Sequence, residues 1–492
     1  MLFDRMLTIP NSLKRIKSTN INLDCIKIHH ILIFGALLSF VLNNGMAISG
    51  DEEFYLSRAS FFVKNIFKVI NGELNFALFV DTIVDRGFFV PGVSIILLPV
   101  SFIFAGSPPL YMIRAYTILI NILLVFFIYR ELVKLGLKQT KAKLAVIIPF
   151  LIPYYLYYSG AIWGDLIASH AAILLFLFFE RRLRDENIKC YIFICIGAGI
   201  GFISLTRPQY CALPIIFMLR LLFLYLDKET SLKKTGLLAF LLLISFLFSI
   251  TPWHIALYKK FGPFFYITSP KVSPFAKDDT YMKQATKKFG PNLHSSYRIF
   301  AVHDKLYNDA QKKGITLYEN IRIESKNLTK NLTKNSFLEK IKLQRAPMFK
   351  FYFLENTFLK RFISNGKNLH KNQPTKIMEK IIYKINTVNW YLLLILGIVF
   401  FLFPFTAKNN NYTLPLYCKG LIFILTFHPA FRSGQPRYYV ELIPLFSVSL
   451  IIAISMGYGI KVEKPNTSSR LVLIGQVFCM AFFGYNLIIF IV

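Results

Sequence analysis

Charge is what this sequence has least of. Only 17% of its 492 residues are Asp, Glu, Lys or Arg, against 55% hydrophobic. A soluble chain of this length would fold as several domains and would need far more charge to cover them. Acidic residues are scarcer still, 26 against 57 basic ones. The six cysteines (Cys25, Cys190, Cys195, Cys211, Cys418, Cys479) are scattered, mostly in or beside apolar blocks. They form no CxxC pair and no metal-ligand spacing, which excludes a disulfide framework. No period of 20–50 residues recurs, so a repeat array is excluded too.

What the chain does have is apolar sequence in long blocks, with a mean hydropathy of +0.50. Blocks of about 17–22 residues are long enough to cross a hydrocarbon core. The expected fold class is therefore all-α, a polytopic membrane protein. Its net charge of +31 does not mark a nucleic-acid binder, because that reading suits a soluble basic domain. Part of the charge lies in short loops, where it orients helices, and much of the rest lies in one long polar insertion.

The first apolar block, 31–48, follows Lys14, Arg15, Lys17 and Lys27 and reads as an uncleaved signal anchor. A signal peptide cleaved near Ala47–Ser49 is the alternative. Ten further blocks lie near 109–129, 143–158, 161–180, 190–206, 208–226, 235–256, 388–406, 414–429, 438–458 and 471–491. Together they predict about 11 transmembrane helices. Residues 91–106 are apolar but short, and Pro91, Pro99 and Pro108 interrupt them. If they spanned the membrane, the basic loop Arg130–Lys143 would lie on the side opposite the N-terminus. Treating them as an outer-face juxtamembrane helix keeps every basic short loop inside.

This topology predicts an N-terminal transmembrane catalytic module (1–256) with a first external loop (49–108). A large basic external loop (257–386) and a C-terminal transmembrane module (387–492) follow. The large loop holds 26 basic and 9 acidic residues and is expected to be mainly helical. Its stretch 339–362 mixes lysines and aromatics as an interfacial helix would. A solvated lysine-rich loop is the plainer reading, and a surface facing phosphate-bearing lipids or an anionic acceptor is the sharper one. Asn327 and Asn331 sit in glycosylation sequons, which matter only in a cell with that machinery.

Candidate chemistry begins directly after the first block, at Asp51, Glu52 and Glu53, followed by Tyr55 and Arg58. Acids in a helix's first turn favour the positive end of its dipole, which accounts for one or two of the three. On a helix Asp51, Tyr55 and Arg58 share a face, and Glu53 points away. A carboxylate held at the lipid–water boundary can take a proton from an acceptor hydroxyl near a lipid-linked donor.

An Asp-Glu followed by an aromatic and a Tyr, just past the first span, resembles the multi-spanning GT-C glycosyltransferases. Protein O-mannosyltransferases and the lipid A aminoarabinose transferases are the nearest in kind. Further elements resemble that family in order: Arg114 in LYMIRAYTILIN, Asp165 in SGAIWGDLIASHA and the turn Leu205-Thr206-Arg207-Pro208. Thr251-Pro252-Trp253 with Phe261-Gly262, and Arg437-Tyr438 with Pro444, continue the series. The chain departs from the family at Phe88-Phe89-Val90-Pro91-Gly92, where relatives carry a charged residue and paired prolines. It departs again at Lys259-Lys260, where an Arg-Asn often stands. Both departures bear on the acceptor and on metal use more than on the reaction class.

The resemblance implies transfer of a sugar from a polyprenyl-phosphate donor to a lipid, glycan or protein acceptor at the outer or lumenal face, with inversion. Asp51 would be the general base, and Glu52 would orient it or hold a divalent cation. Arg58, Arg114, Asp165, Arg207, Arg437 and Tyr438 would contact the donor phosphate or the substrate. For Asp165 a helix cap is the structural alternative, and for Arg207 and Arg437 snorkelling to the interface. His170 reads as a packing residue, and the remaining histidines lack ligand spacing. The expected partners are the lipid-linked donor, the acceptor and membrane lipids, with no nucleic acid. The expected location is the bacterial inner membrane, or the endoplasmic reticulum membrane in a eukaryote. The rival reading is a transporter or lipid flippase, but repeated halves and midplane charges, the usual marks of one, are not evident in the sequence.

Overall fold

A computed structural model describes residues 27–44, 46, 48, 51–183, 189–263, 267–270, 272, 275, 295–331, 376–402 and 440–455. Among these residues the secondary structure is helical and no strand occurs. In chain order the helices are α1 (Ile28–Asn43), α2 (Asp51–Ile70), α3 (Phe76–Val84), α4 (Gly92–Ile103), α5 (Leu110–Lys134), α6 (Gln139–Phe150) and α7 (Pro153–Ser159). They continue with α8 (Asp165–Leu183), α9 (Cys190–Thr206), α10 (Leu213–Leu226), α11 (Leu232–Phe261), α12 (Ser295–Lys312), α13 (Leu317–Asn331), α14 (Lys376–Leu402) and α15 (Leu442–Ser455).

Three helical stretches are long and apolar enough to cross a membrane: α5, Pro208–Leu226 including α10, and α11. The α6–α7 pair makes a fourth if a span bent by 85° is counted as one. They mark an integral membrane protein, while the expected count of about 11 spans is not reached among the described residues. Several expected spans fold as shorter helices, with α1, α9 and the apolar part of α15 between 10 and 17 residues. The blocks 414–429 and 471–491 lie outside the described residues. The expected span 143–158 breaks at Leu151–Ile152, because Pro153 cannot continue the amide ladder of α6.

The block 91–106 becomes α4, with twelve residues. At 1.5 Å per residue it is about 18 Å long, well short of a hydrocarbon core of ~30 Å. It packs on α2, α5 and α9. Its first turn sits against the end of α9, where a Cβ on Gly92 would lie 2.5 Å from the Leu205 carbonyl oxygen. Only glycine allows that approach.

The main core is built from α5–α11, α14 and α15 around large aromatics such as Tyr155, Phe176, Phe179, Phe193, Phe217 and Trp390. Close packing of α9 on α11 depends on Gly197 and Gly201, spaced four apart. A Cβ at Gly201 would come within 2.6 Å of Ser249. A second cluster joins α11, α12 and the segment Val84–Val90. Helix α12 is thereby fixed to the segment Val84–Val90.

Candidate functional site

The residues singled out in the sequence gather at one end of the bundle, around the loop 160–165 between α7 and α8. Glu52, in the first turn of α2, is fully buried. Its carboxylate pairs with Arg114 of α5 through both oxygens, the second contact measuring 2.9 Å. It also accepts the Ile162 amide at 2.8 Å, and Arg114 donates onward to the Gly160 carbonyl at 2.9 Å. One buried ion pair thus clamps α2, α5 and the loop. Removing one partner of such a pair typically costs about 3–5 kcal/mol, because the other charge stays buried.

This geometry corrects two expectations. The inward face of α2 is Glu52, Tyr55, Arg58, Ala59 and Val63, so it centres on Glu52 rather than on Asp51. Asp51 is half-buried at the helix start, and Glu53 is exposed. Both Glu52 oxygens already serve Arg114, and one also serves the Ile162 amide, so a divalent cation does not fit there. Among the described residues no three His, Cys, Asp or Glu side chains converge as metal ligands.

Arg58 is buried as well. It donates to the carbonyls of Phe89 (2.9 Å) and Val90 (3.3 Å), and its guanidinium lies 5.6 Å from the Trp253 ring. Burial pushes its pKa down, against the attraction of Asp85. Arg58 therefore ties α2 to the 88–91 segment and to α11.

At the other end of the loop, Asp165 begins α8 and pairs with Arg207 at the end of α9, both nearly enclosed. The L-T-R-P turn makes this possible. Pro208 stops α9, and Arg207 takes an extended backbone as its cap. Beside the pair lies Glu441, just before α15. It accepts from Gln209 at 2.7 Å and from the Tyr210 hydroxyl at 2.9 Å, and its carbonyl accepts from Ser169 at 2.7 Å. Sequence reasoning missed Glu441, although a lone acid in VELIPLF is the signal that marks an intramembrane functional candidate. Arg437 and Tyr438 lie outside the described residues.

His170 is resolved as a structural group. Its Nδ1 is 3.0 Å from the Asn121 side-chain oxygen and its Nε2 is 3.0 Å from the Tyr155 hydroxyl. With Asn121 accepting, Nδ1 carries the proton and Nε2 accepts from Tyr155. Both nitrogens are satisfied in the neutral form, as a packing residue requires.

An aromatic wall that begins at Phe54, one turn after Asp51 on α2, comes from three segments. Phe54 stacks on Phe89 at 5.0 Å and meets Phe300 of α12 edge-on at 5.1 Å. Arg86 holds α12 there with a bidentate grip on Asp304, 2.7 and 2.8 Å. Burial raises the Asp304 pKa, but the Arg86 hydrogen bonds and the neighbouring His303, 3.8 Å away, outweigh it and bring the carboxyl down to about 2. His303 sits among Phe88, Phe261 and Tyr307, and burial lowers its pKa. The Phe88-Phe89 pair, a departure in sequence, is thus the seat for α12.

No protein-family model and no curated protein sequence matches the chain. Among solved structures it is similar to the archaeal oligosaccharyltransferase AglB from Archaeoglobus fulgidus in complex with an inhibitory peptide and a dolichol-phosphate. That match has 13% identity, a TM-score of 0.49, and covers 93% of this chain and 55% of the other. The A. fulgidus oligosaccharyltransferase in complex with Zn and sulfate matches at 14% identity and a TM-score of 0.44, covering 86% and 49%. The same enzyme tethered to an acceptor peptide containing the NVT sequon matches at 12% and 0.46, covering 87% and 49%. The chain spans about half the length of these structures.

Proposed function

We propose that this protein is an integral-membrane glycosyltransferase that moves a sugar from a polyprenyl-phosphate donor to a hydroxyl-bearing acceptor at the outer or lumenal face. The observation that carries the reading is the division of labour at the start of α2. Glu52 is consumed by Arg114 and Ile162, while Asp51 next to it is half-buried, one turn before the aromatic wall that begins at Phe54. A carboxylate anchored by its neighbour but reachable from the surface suits a general base. Asp51 takes the acceptor proton, the acceptor oxygen attacks the anomeric carbon, and the lipid phosphate leaves from the opposite side with inversion.

The leaving phosphate needs positive charge. The reading assigns this task to Arg207, oriented by Asp165, together with Arg437 and Tyr438. Guanidinium geometry matches phosphate oxygens, and a fixed cation where charge develops is worth most in a water-poor site. Glu52 holds the helix start in place and is a positioning residue.

The test is transfer by the purified protein from radiolabelled polyprenyl-phosphate sugars to membrane extract. Asp51→Asn keeps the volume and the capping ability, so insertion should survive, while transfer falls by about 10²–10⁴-fold. Glu53→Gln, on the exposed side, should retain near wild-type transfer. Full activity in Asp51→Asn would remove the base assignment. No transfer by the wild type from any such donor would remove the function itself.

A further inference from the structure

At the corner where α3 meets the end of α11 there is a groove of about 230 Å³. It is lined by Phe76, Val80, Val84 and Ala256, with Asp81, Lys259 and Lys260 at its rim. Sites that enclose a whole drug-sized molecule run to roughly 300–1,000 Å³. This groove suits one hydrocarbon chain laid against a wall, with its polar end at the rim.

Three observations say what that chain belongs to. First, α11 is apolar through its length and ends its apolar stretch at Lys259-Lys260, which puts the rim at the membrane–water boundary. Second, the surrounding corner exposes large apolar side chains: Phe67 and Ile70 of α2, Phe76 and Leu78 of α3, Ile255 and Tyr258 of α11. Such a patch at a boundary rests in lipid. Third, the rim charges do not cancel. Lys260 is held by Asp81, donating to its carboxylate at 2.9 Å and to its carbonyl at 2.9 Å. Lys259 is exposed at the rim, so the groove keeps one net positive charge.

We propose that this groove binds a bilayer phospholipid with an anionic headgroup, an acyl chain running along Val80, Val84 and Ala256 and the phosphate on Lys259. The bound lipid fastens α3 to α11 and seats the first loop on the membrane. The proposal does not rest on glycosyl transfer, since it uses neither Asp51 nor the loop 160–165.

The test is lipid retention. The full chain is reconstituted in nanodiscs with equal phosphatidylglycerol and phosphatidylcholine, extracted in mild detergent and weighed by native mass spectrometry. One tightly retained phosphatidylglycerol per chain is expected. Lys259→Ala should weaken it about fivefold, the worth of one surface cation against anionic lipid. Val80→Trp, or the milder Ala256→Leu, should displace it by filling the groove without changing charge. Lys233→Ala, an exposed lysine at the opposite end of α11, should have no effect. Asp51→Asn should retain the lipid, which separates this result from the catalytic one. Equal retention of both lipids, or unchanged retention in folded Val80→Trp and Ala256→Leu, would overturn the proposal. Displacement by equimolar polyprenyl phosphate would overturn it too, by giving the groove to the donor.

Discussion

The two ends of the helical bundle both bury carboxylates against arginines, yet they do different things with them. At the loop 160–165 end, Glu52–Arg114 and Asp165–Arg207 stand beside a half-buried Asp51 and an aromatic wall. At the far ends of α5 and α8, Glu131 accepts from Arg181 and from Lys134 at 3.2 Å, and Glu180 accepts from Arg220 at 2.9 Å. The far-end pairs join helix to helix. The lesson is that a buried ion pair alone says nothing about chemistry. What separates the ends is the reachable acid next to the locked one.

The sharpest way to break this comparison is to cut one pair at each end. Glu52→Gln and Glu180→Gln should each destabilise the protein by about 3–5 kcal/mol, read as a drop in thermal midpoint in detergent. Transfer per folded molecule should fall steeply only for Glu52→Gln, which lets the start of α2 shift. Equal loss of turnover in both would make the two ends equivalent and leave Asp51 without special standing.

The next effect concerns the grip of α12 on the segment Val84–Val90. Asp304→Asn leaves Arg86 with a weaker, uncharged partner and should expose α12 to hydrogen exchange. A cost of about 1–2 kcal/mol is expected, since the pair is only partly buried. Unchanged protection of residues 299–312 would show that the aromatic contacts alone hold the helix.

A smaller effect should appear with pH. The docked His303 has a lowered pKa, so the undocked state binds the extra proton. Docking is therefore strongest above about 6.5 and weakens as pH falls below it. Asp304 has a lowered pKa of about 2, so its contribution is present above its ordinary value of 3.8 and is lost only as pH falls through about 2. Protection of α12 should thus begin to decline as pH falls below about 6.5, and His303→Phe should remove that step. A decline that persists in His303→Phe would assign it to another group.

The smallest perturbation is a probe of sidedness. Cysteines at Ser57 and Ser325 should react with an impermeant reagent applied outside cells, and one at Thr140 should not. Labelling at Thr140 would reverse the expected orientation and return residues 91–106 to the membrane.

Much of this architecture was legible from the chain alone, for reasons of scale. Apolar blocks of spanning length and basic short loops identify a helical membrane protein, because hydrocarbon tolerates only satisfied backbone. Pro208 announced the break after α9, since proline removes the amide a helix needs, whereas the break before Pro153 falls inside the single span expected over 143–158. The shortness of 91–106 was legible too, and α4 has only twelve residues. The acids at 51–53 and the L-T-R-P turn pointed to one end of the molecule.

Only the tertiary structure decided that Glu52 is locked to Arg114 and to the loop 160–165. Asp51 and Glu52 are neighbours about 100° apart on one helix, and nothing local says which of them turns inward. The difference comes from Arg114, 62 residues further on, and from the Ile162 amide, 110 residues further on. Glu441 was passed over for the same reason, since its partners Gln209 and Tyr210 lie more than 230 residues away. Periodicity and hydropathy report what each residue prefers as a solvent. Which charge meets which is fixed by helices packed from distant parts of the chain, and that is decided by packing.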